Sequence, residues 1–378
     1  MKHSITFYPV GNGDTSQIVL GNGKRILMDY RHQKKTEDGS CPEINLKARL
    51  KKELNDAGRN YFDVVAFTHS DKDHIENSTD FFELRHAAKY QGNGRIKINT
   101  LWVPAAMIVE TATNSEQSDE FVIWRQEARC RLKEGRGIRV FSKPEMLKKW
   151  LEDNGLTVDG RRHLITDAGK IAPDFSLAVD GVEFFCHSPF VKRVDNADDD
   201  LRNEASLIFN VRFKFDSTTT DYLAVGDTTW EVLDDIVQTT RSHKNMDRLT
   251  WNLYNIPHHC SYLALSDDKG KNETIPKQGA KDILQSGKKD SYIVSSSFPI
   301  HDTKEGREQQ QPPHVQAKKC YESYLTKANG RKFLVTMEEP NDKKPDPLVF
   351  EITKDGLTFK RSLSGAPAII AATPPRAG

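Results

Sequence analysis

Four side chains of types that commonly bind metal ions occur within the six residues 69–74: His69, Asp71, Asp73 and His74. They directly follow the apolar run YFDVVAFT at 61–68, which is typical of a buried strand. Because the chain turns where a strand ends, these side chains can converge on one point, and their number suffices for two neighbouring ions. The alternative is a polar turn before a helix, with Asp71 or Asp73 as its N-cap. A cap accounts for one carboxylate but not for two histidines.

Residues 69–74 resemble the HxHxDH motif of the metallo-β-lactamase fold, in the variant that has Asp in place of the second His. That variant resembles the nuclease domain of the ComEC DNA-uptake proteins. Further segments resemble this family's motifs in the expected order, over roughly residues 4–338. They are VGNGD at 10–14 with ILMD at 26–29, NEASL at 203–207, LAVGD at 223–227, PHHCS at 257–261 and PPH at 312–314.

The resemblance implies a site for two divalent metal ions. It places Asp29 beside the site, where it orients a ligand imidazole. Without the resemblance, Gly226-Asp227 alone predicts a turn, and His258-His259 a polar pair at a strand end. The implied ligands are His69 and Asp71 for the first ion, Asp73, His74 and His258 for the second, and Asp227 as a bridge between them.

This sequence departs from the family pattern at two positions. Cys260 stands where the family usually has Gly, and its thiol could bind metal or pack. Asn203 stands where many relatives of the wider fold have a His ligand, so His187 is a candidate to complete the first ion's shell or to shape the pocket. His259 is a further candidate ligand or catalytic residue. His314 is a candidate to contact a phosphate or to act as a general acid.

The carboxylate at Asp71 makes the predicted site harder than an imidazole would, which shifts preference from Zn²⁺ towards Mn²⁺ or Mg²⁺. We therefore expect two divalent ions, Mn²⁺ or Zn²⁺, with Mg²⁺ also compatible. Two bridged cations acidify a shared water and neutralise charge on a phosphoryl oxygen, which suits phosphodiester hydrolysis. With Asp73, His259 and His314 as candidate catalytic groups, no protein nucleophile is needed, and the chain contains no GxSxG or P-loop pattern.

The composition limits the classes of partner. The chain has 378 residues and a formal net charge of +1, which excludes a globally basic nucleic-acid binder. A local basic stretch contains Arg125, Arg129 and Arg131, which are candidate nucleic-acid contacts or simply a solvated helix face. No apolar run reaches membrane-spanning length, and the N-terminus lacks the apolar core of a signal peptide. The five cysteines form no CxxC pair, so we predict a cytoplasmic protein.

The elements that must position these residues indicate a layered α/β (α+β) protein. We predict a hairpin over residues 16–29, a helix over 44–57 that ends at Gly58, and the buried strand at 61–68. The resemblance implies an αββα four-layer sandwich, in which the metals lie at one edge of the two sheets. We predict one domain over residues 1–364, with a helical insertion at about 105–180 as lid or partner surface, and a disordered tail at 365–378.

The functional prediction is a metal-dependent hydrolase, with DNA or RNA as the substrate and a phosphodiesterase or nuclease activity. We predict that the protein has no membrane part, and it is a candidate member of a multi-component, defence-type bacterial system with a protein partner. One alternative is a small-molecule metallohydrolase that acts on a lactone, a cyclic nucleotide or another phosphoester. Another is a non-catalytic metal-binding regulatory subunit. The sequence does not predict the oligomeric state.

Overall fold

Two β-sheets lie at the centre of the structure, and helices cover the outer face of each. The computed structural model describes residues 2–110, 119–190 and 205–360. The first sheet has nine strands in the order β15-β14-β1-β2-β3-β4-β5-β6-β7. These strands are β1 His3–Phe7, β2 Ser16–Val19, β3 Arg25–Met28, β4 Tyr61–Ala66, β5 Lys97–Pro104, β6 Ile138–Phe141, β7 Ile165–Thr166, β14 Leu348–Thr353 and β15 Gly356–Lys360.

The second sheet has six strands in the order β13-β12-β11-β10-β9-β8. Strands β10 to β13 run parallel to one another, as do β3 to β7 of the first sheet. Each sheet therefore has a block of parallel strands whose carboxyl ends meet at one edge. The strands are β8 Val182–Ser188, β9 Ile208–Phe215, β10 Thr218–Val225, β11 Trp251–Asn255, β12 Gly287–Ser295 and β13 Lys332–Val335.

Helices and short 3₁₀ turns connect the strands. The α-helices are α1 Leu46–Asp56, α2 Lys72–Ile75, α3 Ala106–Val109, α4 Asp119–Glu134, α5 Glu145–Asp153, α6 Val158–Arg161, α7 Trp230–Ser242, α8 Gln278–Gln285, α9 Lys304–Glu308 and α10 Val315–Lys327. The 3₁₀ turns are Lys34–Asp38, Ser78–Asp80, Ala88–Tyr90, Arg162–Leu164, Met246–Leu249, His258–Cys260 and Tyr262–Ala264.

Three separate apolar layers show that this is a four-layer αββα sandwich, as the sequence resemblance implies. One layer packs α1, α4 and α5 on the first sheet, and another packs α7, α8 and α10 on the second. The middle layer lies between the sheets, where the fully buried Trp102 contacts Phe184 at 5.1 Å and Phe209 at 5.6 Å between ring centroids. Burial of this much aromatic surface holds the sheets together.

The local sequence signals near the site are confirmed. β2 and β3 form the predicted antiparallel hairpin, with Ile18 opposite Ile26. Helix α1 is followed by Gly58 in the left-handed conformation, at φ 64°, where a residue without Cβ is favoured. Along β4, Val64 packs between the sheets and Val65 packs under the helices, so both faces of the strand are buried as predicted.

The segment at about 105–180 differs from the predicted helical insertion, because it also supplies strands β6 and β7 of the first sheet. These strands have only four and two residues, too short for their hydrophobic pattern to be distinguished from a helix. In α4, Trp124 packs against Phe67 at 4.5 Å between ring centroids and donates a hydrogen bond to Ser78 Oγ at 2.7 Å. The segment is thus built into the sandwich, and its role as lid or partner surface stays a prediction.

The three arginines of the basic stretch lie on α4 and bind the protein itself. Arg131 is 1% exposed, and its Nε donates to Glu127 Oε1 at 2.6 Å, so it is unavailable to a nucleic acid. Arg125 and Arg129 are half-buried and donate to backbone carbonyls at 2.7 and 2.9 Å. Sequence patterning placed all three on a helix but could not tell an inward-facing arginine from an outward-facing one. Nucleic-acid contact through Arg125 and Arg129 stays a prediction.

No helix in the described parts of the chain is long and apolar enough to cross a membrane. The predicted tail at 365–378 lies outside the described residues. The predicted domain boundary at 364 therefore stays a prediction.

The Arg131–Glu127 pair yields a stability prediction. Arg131→Ala leaves the buried Glu127 carboxylate without its guanidinium, so the free energy of unfolding should fall by about 3–5 kcal/mol in urea denaturation. The matched control is Arg136→Ala in the same stretch, where the side chain is 79% exposed and the change should stay within about 0.5 kcal/mol. Equal losses in the two variants would contradict the structural role of Arg131.

Candidate metal centre

The candidate site lies where strand ends from both sheets meet. Asp29 follows β3, His69 follows β4, Asp227 follows β10 and His259 follows β11, while Asp14 lies in the turn before β2. Parallel strands place their carboxyl ends at the same sheet edge, which is why residues so distant in sequence are neighbours. The sheet architecture therefore gathers the acidic and imidazole side chains at one place.

A first group consists of Asp14, His74, Asp227 and His259, whose potential ligand atoms lie within 4.8 Å of one another. All four residues are buried. His74 Nε2 lies 3.5 Å from Asp227 Oδ1 and 3.9 Å from Asp14 Oδ2. His259 Nε2 lies 3.4 Å from Asp227 Oδ2. Two imidazole nitrogens and two carboxylates thus face a common centre.

A second group consists of His69, Asp73 and His74 and adjoins the first. The His69 and His74 rings lie 3.9 Å apart between centroids. Asp73 Oδ2 accepts a hydrogen bond from His259 Nε2 at 2.9 Å, so it connects the two groups. Asp71 Oδ2 lies 3.7 Å from His69 Nε2, and the Asp71 side chain does not cap α2. The capping explanation of this carboxylate therefore does not apply.

Hydrogen bonds fix which imidazole nitrogen points into the first group. His74 Nδ1 donates to Asp29 Oδ2 at 2.8 Å, and Asp29 also accepts from Thr68 N at 2.7 Å and Thr68 Oγ1 at 2.6 Å. His259 Nδ1 donates to the Ser296 carbonyl at 2.9 Å. Each Nδ1 is thus held by its own acceptor, and each Nε2 is directed towards the centre, where that of His259 is shared with the Asp73 carboxylate. This is the arrangement in which a protein orients metal-binding histidines.

Buried polar atoms at the centre lack hydrogen bonds. Among the described residues, His69 Nε2, His74 Nε2 and Asp227 Oδ1 are buried and make none. Nearly all buried polar atoms in proteins are hydrogen-bonded, and the exceptions call for an explanation such as a bound ion. Imidazole nitrogen and carboxylate oxygen are both common ligands of divalent cations, so the residues present fit the implied metal ions.

Neighbouring opposite charges have a larger effect than burial on the pKa values of His259, His74 and Asp227. Burial alone would lower the pKa of His259, but the Asp227 carboxylate raises this pKa well above its ordinary value. Burial would likewise lower the pKa of His74, but the Asp29 and Asp227 carboxylates raise it well above its ordinary value. The two histidines in turn hold the pKa of Asp227 well below its ordinary value, although burial alone would raise it. These three groups therefore favour an ionised carboxylate that faces positive charge, whereas burial raises the pKa of Asp14 and lowers that of His69.

Two glycines allow the strand ends to approach. A Cβ on Gly226 would lie 2.8 Å from Thr68 Cβ, and one on Gly13 would lie 2.7 Å from the Asp73 carbonyl oxygen. Both distances are shorter than real Cβ contacts allow. Each glycine directly precedes an aspartate of the first group, so the Gly-Asp pairs at 13–14 and 226–227 serve the same purpose.

The turn His258–Cys260 holds three consecutive residues in the left-handed region, with φ of 51°, 52° and 67°. Such strain, roughly 1–2 kcal/mol per residue, persists where the surroundings impose it and is frequent at functional sites. This backbone conformation places His259 in the first group. His258 lies at the margin of the group, with its Nε2 3.9 Å from Asp227 Oδ2. Cys260 points into the core behind the second sheet, and its φ explains why glycine is usual there.

The remaining predicted residues lie away from the two groups or outside the described chain. The His314 Nδ1 accepts from Tyr262 N at 3.3 Å and its Nε2 donates to the Gln310 carbonyl at 3.1 Å, so backbone groups occupy both nitrogens. His187 Nε2 donates to the Arg248 carbonyl at 3.0 Å, in a cavity that none of the grouped residues lines. Asn203 lies outside the described residues.

Sequence reasoning missed Asp14. The residue was part of a motif, VGNGD, but no role was assigned to it. A usable signal was present, since Gly13-Asp14 repeats the Gly226-Asp227 pair and both stand at the end of an apolar segment. The pattern could not show that the two aspartates meet, because they are contributed by different sheets.

No family model matches this chain, and no curated protein matches it. Among solved structures it is similar to the metallo-β-lactamase GOB-18 from Elizabethkingia meningoseptica, at 13% identity, with 85% of this chain and 86% of that chain covered and a TM-score of 0.32. It is also similar to yeast PDE1, at 9% identity, with 88% and 97% covered and a TM-score of 0.41. A diphosphatase from the PhnP family matches at 12% identity, with 93% and 98% covered and a TM-score of 0.31. Similarities this low do not define a substrate.

Gly226 provides a test of the geometry. In Gly226→Ala the new Cβ collides with Thr68, so we expect a loss of about 1–3 kcal/mol in the free energy of unfolding and a smaller rise in melting temperature on addition of Mn²⁺. The control is Gly23→Ala in the β2–β3 turn, where a Cβ meets no atom within 4 Å. Its left-handed backbone costs roughly 1–2 kcal/mol, but the Mn²⁺-dependent rise should be unchanged. A full Mn²⁺ response in Gly226→Ala would contradict the proposed contact.

Proposed function

We propose that this protein is a metal-dependent hydrolase of phosphodiester bonds that acts on DNA or RNA. One observation carries the proposal: buried carboxylates and imidazole Nε2 atoms face one another within 4.8 Å, and His74 Nε2 and Asp227 Oδ1 among them make no hydrogen bond. Groups of this kind are retained in a protein interior when a cation satisfies them.

The donor set supports divalent cations of the harder type. Carboxylates outnumber imidazoles around the two groups when Asp71 is counted with Asp14, Asp73 and Asp227. Oxygen donors favour Mn²⁺ and Mg²⁺, while the imidazoles also suit Zn²⁺. When bound, such cations lower the pKa of a water between them and offset negative charge on a phosphoryl oxygen. We propose two ions, with His69, Asp71, Asp73, His74 and Asp227 among the ligands.

Asp73 is the residue that best fits a proton-accepting role. Its side chain is 33% exposed, whereas those of His74 and Asp227 are almost fully buried. It therefore lies between the buried cluster and the solvent, where a water and a substrate phosphate arrive. Its Oδ2 is held by His259 Nε2 at 2.9 Å, which fixes the carboxylate in one orientation. A fixed, partly exposed carboxylate can accept the proton of an attacking water.

The nucleic-acid part of the proposal rests on the resemblance of residues 69–74 and the later motifs to the ComEC nuclease domain. A cation close to the site in the sequence is Lys72, which stands between Asp71 and Asp73; its side chain is 75% exposed, and its Nζ lies 3.8 Å from Glu76 Oε1. A flexible ammonium there can attract a phosphate without reading sequence.

A small phosphoester is the second candidate substrate. The observation in its favour is that the arginines of α4 bind the protein itself, so that the buried Arg131 is unavailable as one of the predicted nucleic-acid contacts. A polymer needs several phosphate contacts along its length, whereas a small phosphoester needs only those at the reacting group.

We also propose that the protein acts in the cytoplasm. All five cysteines are free, and Cys186, Cys260 and Cys320 are buried as thiols in the described structure. Unpaired buried thiols are typical of a reducing compartment.

The activity is tested with end-labelled single- and double-stranded DNA and RNA in the presence of Mn²⁺. Wild type should cleave, and Asp73→Ala should be slower by about 10²–10⁴-fold, because a proposed metal ligand and proton acceptor is lost. The control His187→Ala removes a buried histidine outside the site and should keep the wild-type rate. Equal cleavage by wild type and Asp73→Ala would refute the assignment. Hydrolysis of bis(p-nitrophenyl) phosphate without nucleic-acid cleavage would favour the second candidate.

Asp29 should control cation affinity without binding the cation. Asp29→Asn weakens the hydrogen bond that orients His74, so we expect the Kd for Mn²⁺ in calorimetry to rise about 10–100-fold. The matched control is Asp216→Asn, because Asp216 is also left-handed, at φ 47° against 56° for Asp29, but lies exposed in the β9–β10 turn. An unchanged Kd in Asp29→Asn would show that this hydrogen bond does not matter for binding.

A further inference from the structure

We propose that Asp14 binds a metal ion directly, as the fourth ligand beside His74, Asp227 and His259. The proposal deepens the proposed function, because it rests on the same metal centre. It assigns a ligand that the HxHxDH-type resemblance does not supply, and it gives the ion two carboxylates and two imidazoles.

The Asp14 carboxylate is buried beside His74. Asp14 is 7% exposed, and its Oδ2 lies 3.9 Å from His74 Nε2. No lysine or arginine in the described parts of the chain forms an ion pair with it, and His74 is its ion-pair partner there. The imidazoles of His74 and His259 are the positive groups that face it, and an imidazole bound to a metal ion is neutral and no longer compensates the carboxylate. A divalent ion in the first group would supply that compensation.

The Asp14 side chain does not stabilise its own turn by hydrogen bonding. Aspartate side chains in turns commonly accept a hydrogen bond from the backbone N–H two residues further along the chain. This carboxylate accepts hydrogen bonds instead from Asn255 Nδ2, at 3.5 Å, and from the Ser296 side chain, both of which belong to the second sheet and its connections. The carboxylate therefore points to the site and away from its own turn.

His74 and His259 both present Nε2, because their Nδ1 atoms donate to Asp29 and to the Ser296 carbonyl. With one oxygen each from Asp14 and Asp227, four donors within 4.8 Å of one another surround one point. Four protein donors fill a tetrahedral Zn²⁺ site, and on a six-coordinate Mn²⁺ they leave positions for water.

The carboxylates around the two groups match the charge of two divalent cations. Two divalent cations carry four positive charges, which the carboxylates of Asp14, Asp71, Asp73 and Asp227 balance. The Asp29 charge is met separately by hydrogen bonds from Thr68 and His74. Asp14 thus adds a buried carboxylate against the charge of the two cations, which is the sign of charge that a buried cation site needs.

The test compares wild type with Asp14→Asn and Asp14→Ala, using metal content after desalting, calorimetric titration with Mn²⁺, and melting temperature with and without Mn²⁺. We expect the Kd for the tighter ion to rise at least tenfold in both variants. The metal-free melting temperature serves as the stability control, because Asp14→Asn removes both the burial cost of a charge and its attraction to His74. The stabilisation by Mn²⁺ should shrink with the loss of affinity.

The control is His258→Ala, which removes a neighbouring imidazole outside the first group and should reduce affinity less than Asp14→Ala. Wild-type Mn²⁺ content and Kd in both Asp14 variants would overturn the proposal. A lower metal-free melting temperature with an unchanged Mn²⁺ response would assign Asp14 a structural role and also overturn it. Because these measurements need no substrate, a wild type that binds Mn²⁺ but cleaves no phosphodiester would refute the proposed function alone.

Discussion

The burial of many ionisable groups at one sheet edge is the constraint on which the rest of the structure depends. Asp14, His74, Asp227 and His259 are all removed from water, and a charge in a low-dielectric interior must be compensated. Without a cation, this compensation comes from neighbouring side chains of opposite charge, as the raised pKa of His74 and the lowered pKa of Asp227 show. The same arrangement suits a divalent cation, because its donors are already gathered and oriented.

The scaffold meets this constraint with rigid apolar packing and close backbone approach. Trp102 and its aromatic neighbours fix the two sheets against each other, so the strand ends cannot drift apart. Gly226 then lets β10 approach the end of β4 more closely than any residue with a side chain would permit. The strained turn at His258–Cys260 costs stability but directs one imidazole inward. Apolar packing between the sheets thus offsets the unfavourable backbone conformation of the turn at the sheet edge.

Local patterns predicted the parts of the site that lie within one segment or follow a strong strand. His69 and His74 stand out by composition. The position of Asp29 was implied by the family resemblance, and in the structure Asp29 accepts a hydrogen bond from His74 Nδ1; its role in orienting a metal ligand stays a prediction. The choice between His258 and His259 depends on backbone torsion angles that a sequence does not display. Asp14 was not predicted because Asp227 and His259, which lie near it, follow strands of the other sheet. Strands β6 and β7 were not predicted because segments of four and two residues are too short to show a periodic pattern. Arg131 looked exposed because a basic stretch does not reveal its buried partner, Glu127.

The first group takes Asp14 and His74 from the connections of one sheet and Asp227 and His259 from those of the other. A cation held by all four would therefore crosslink the two halves of the sandwich, joining parts of the chain more than two hundred residues apart in sequence. Such a link restricts the unfolded chain as a long-loop tether does, and its contribution grows with the free concentration of the cation. The cohesion of the two sheets would then follow the supply of metal in the cell, so that the same ion sets both the lifetime of the fold and its chemistry.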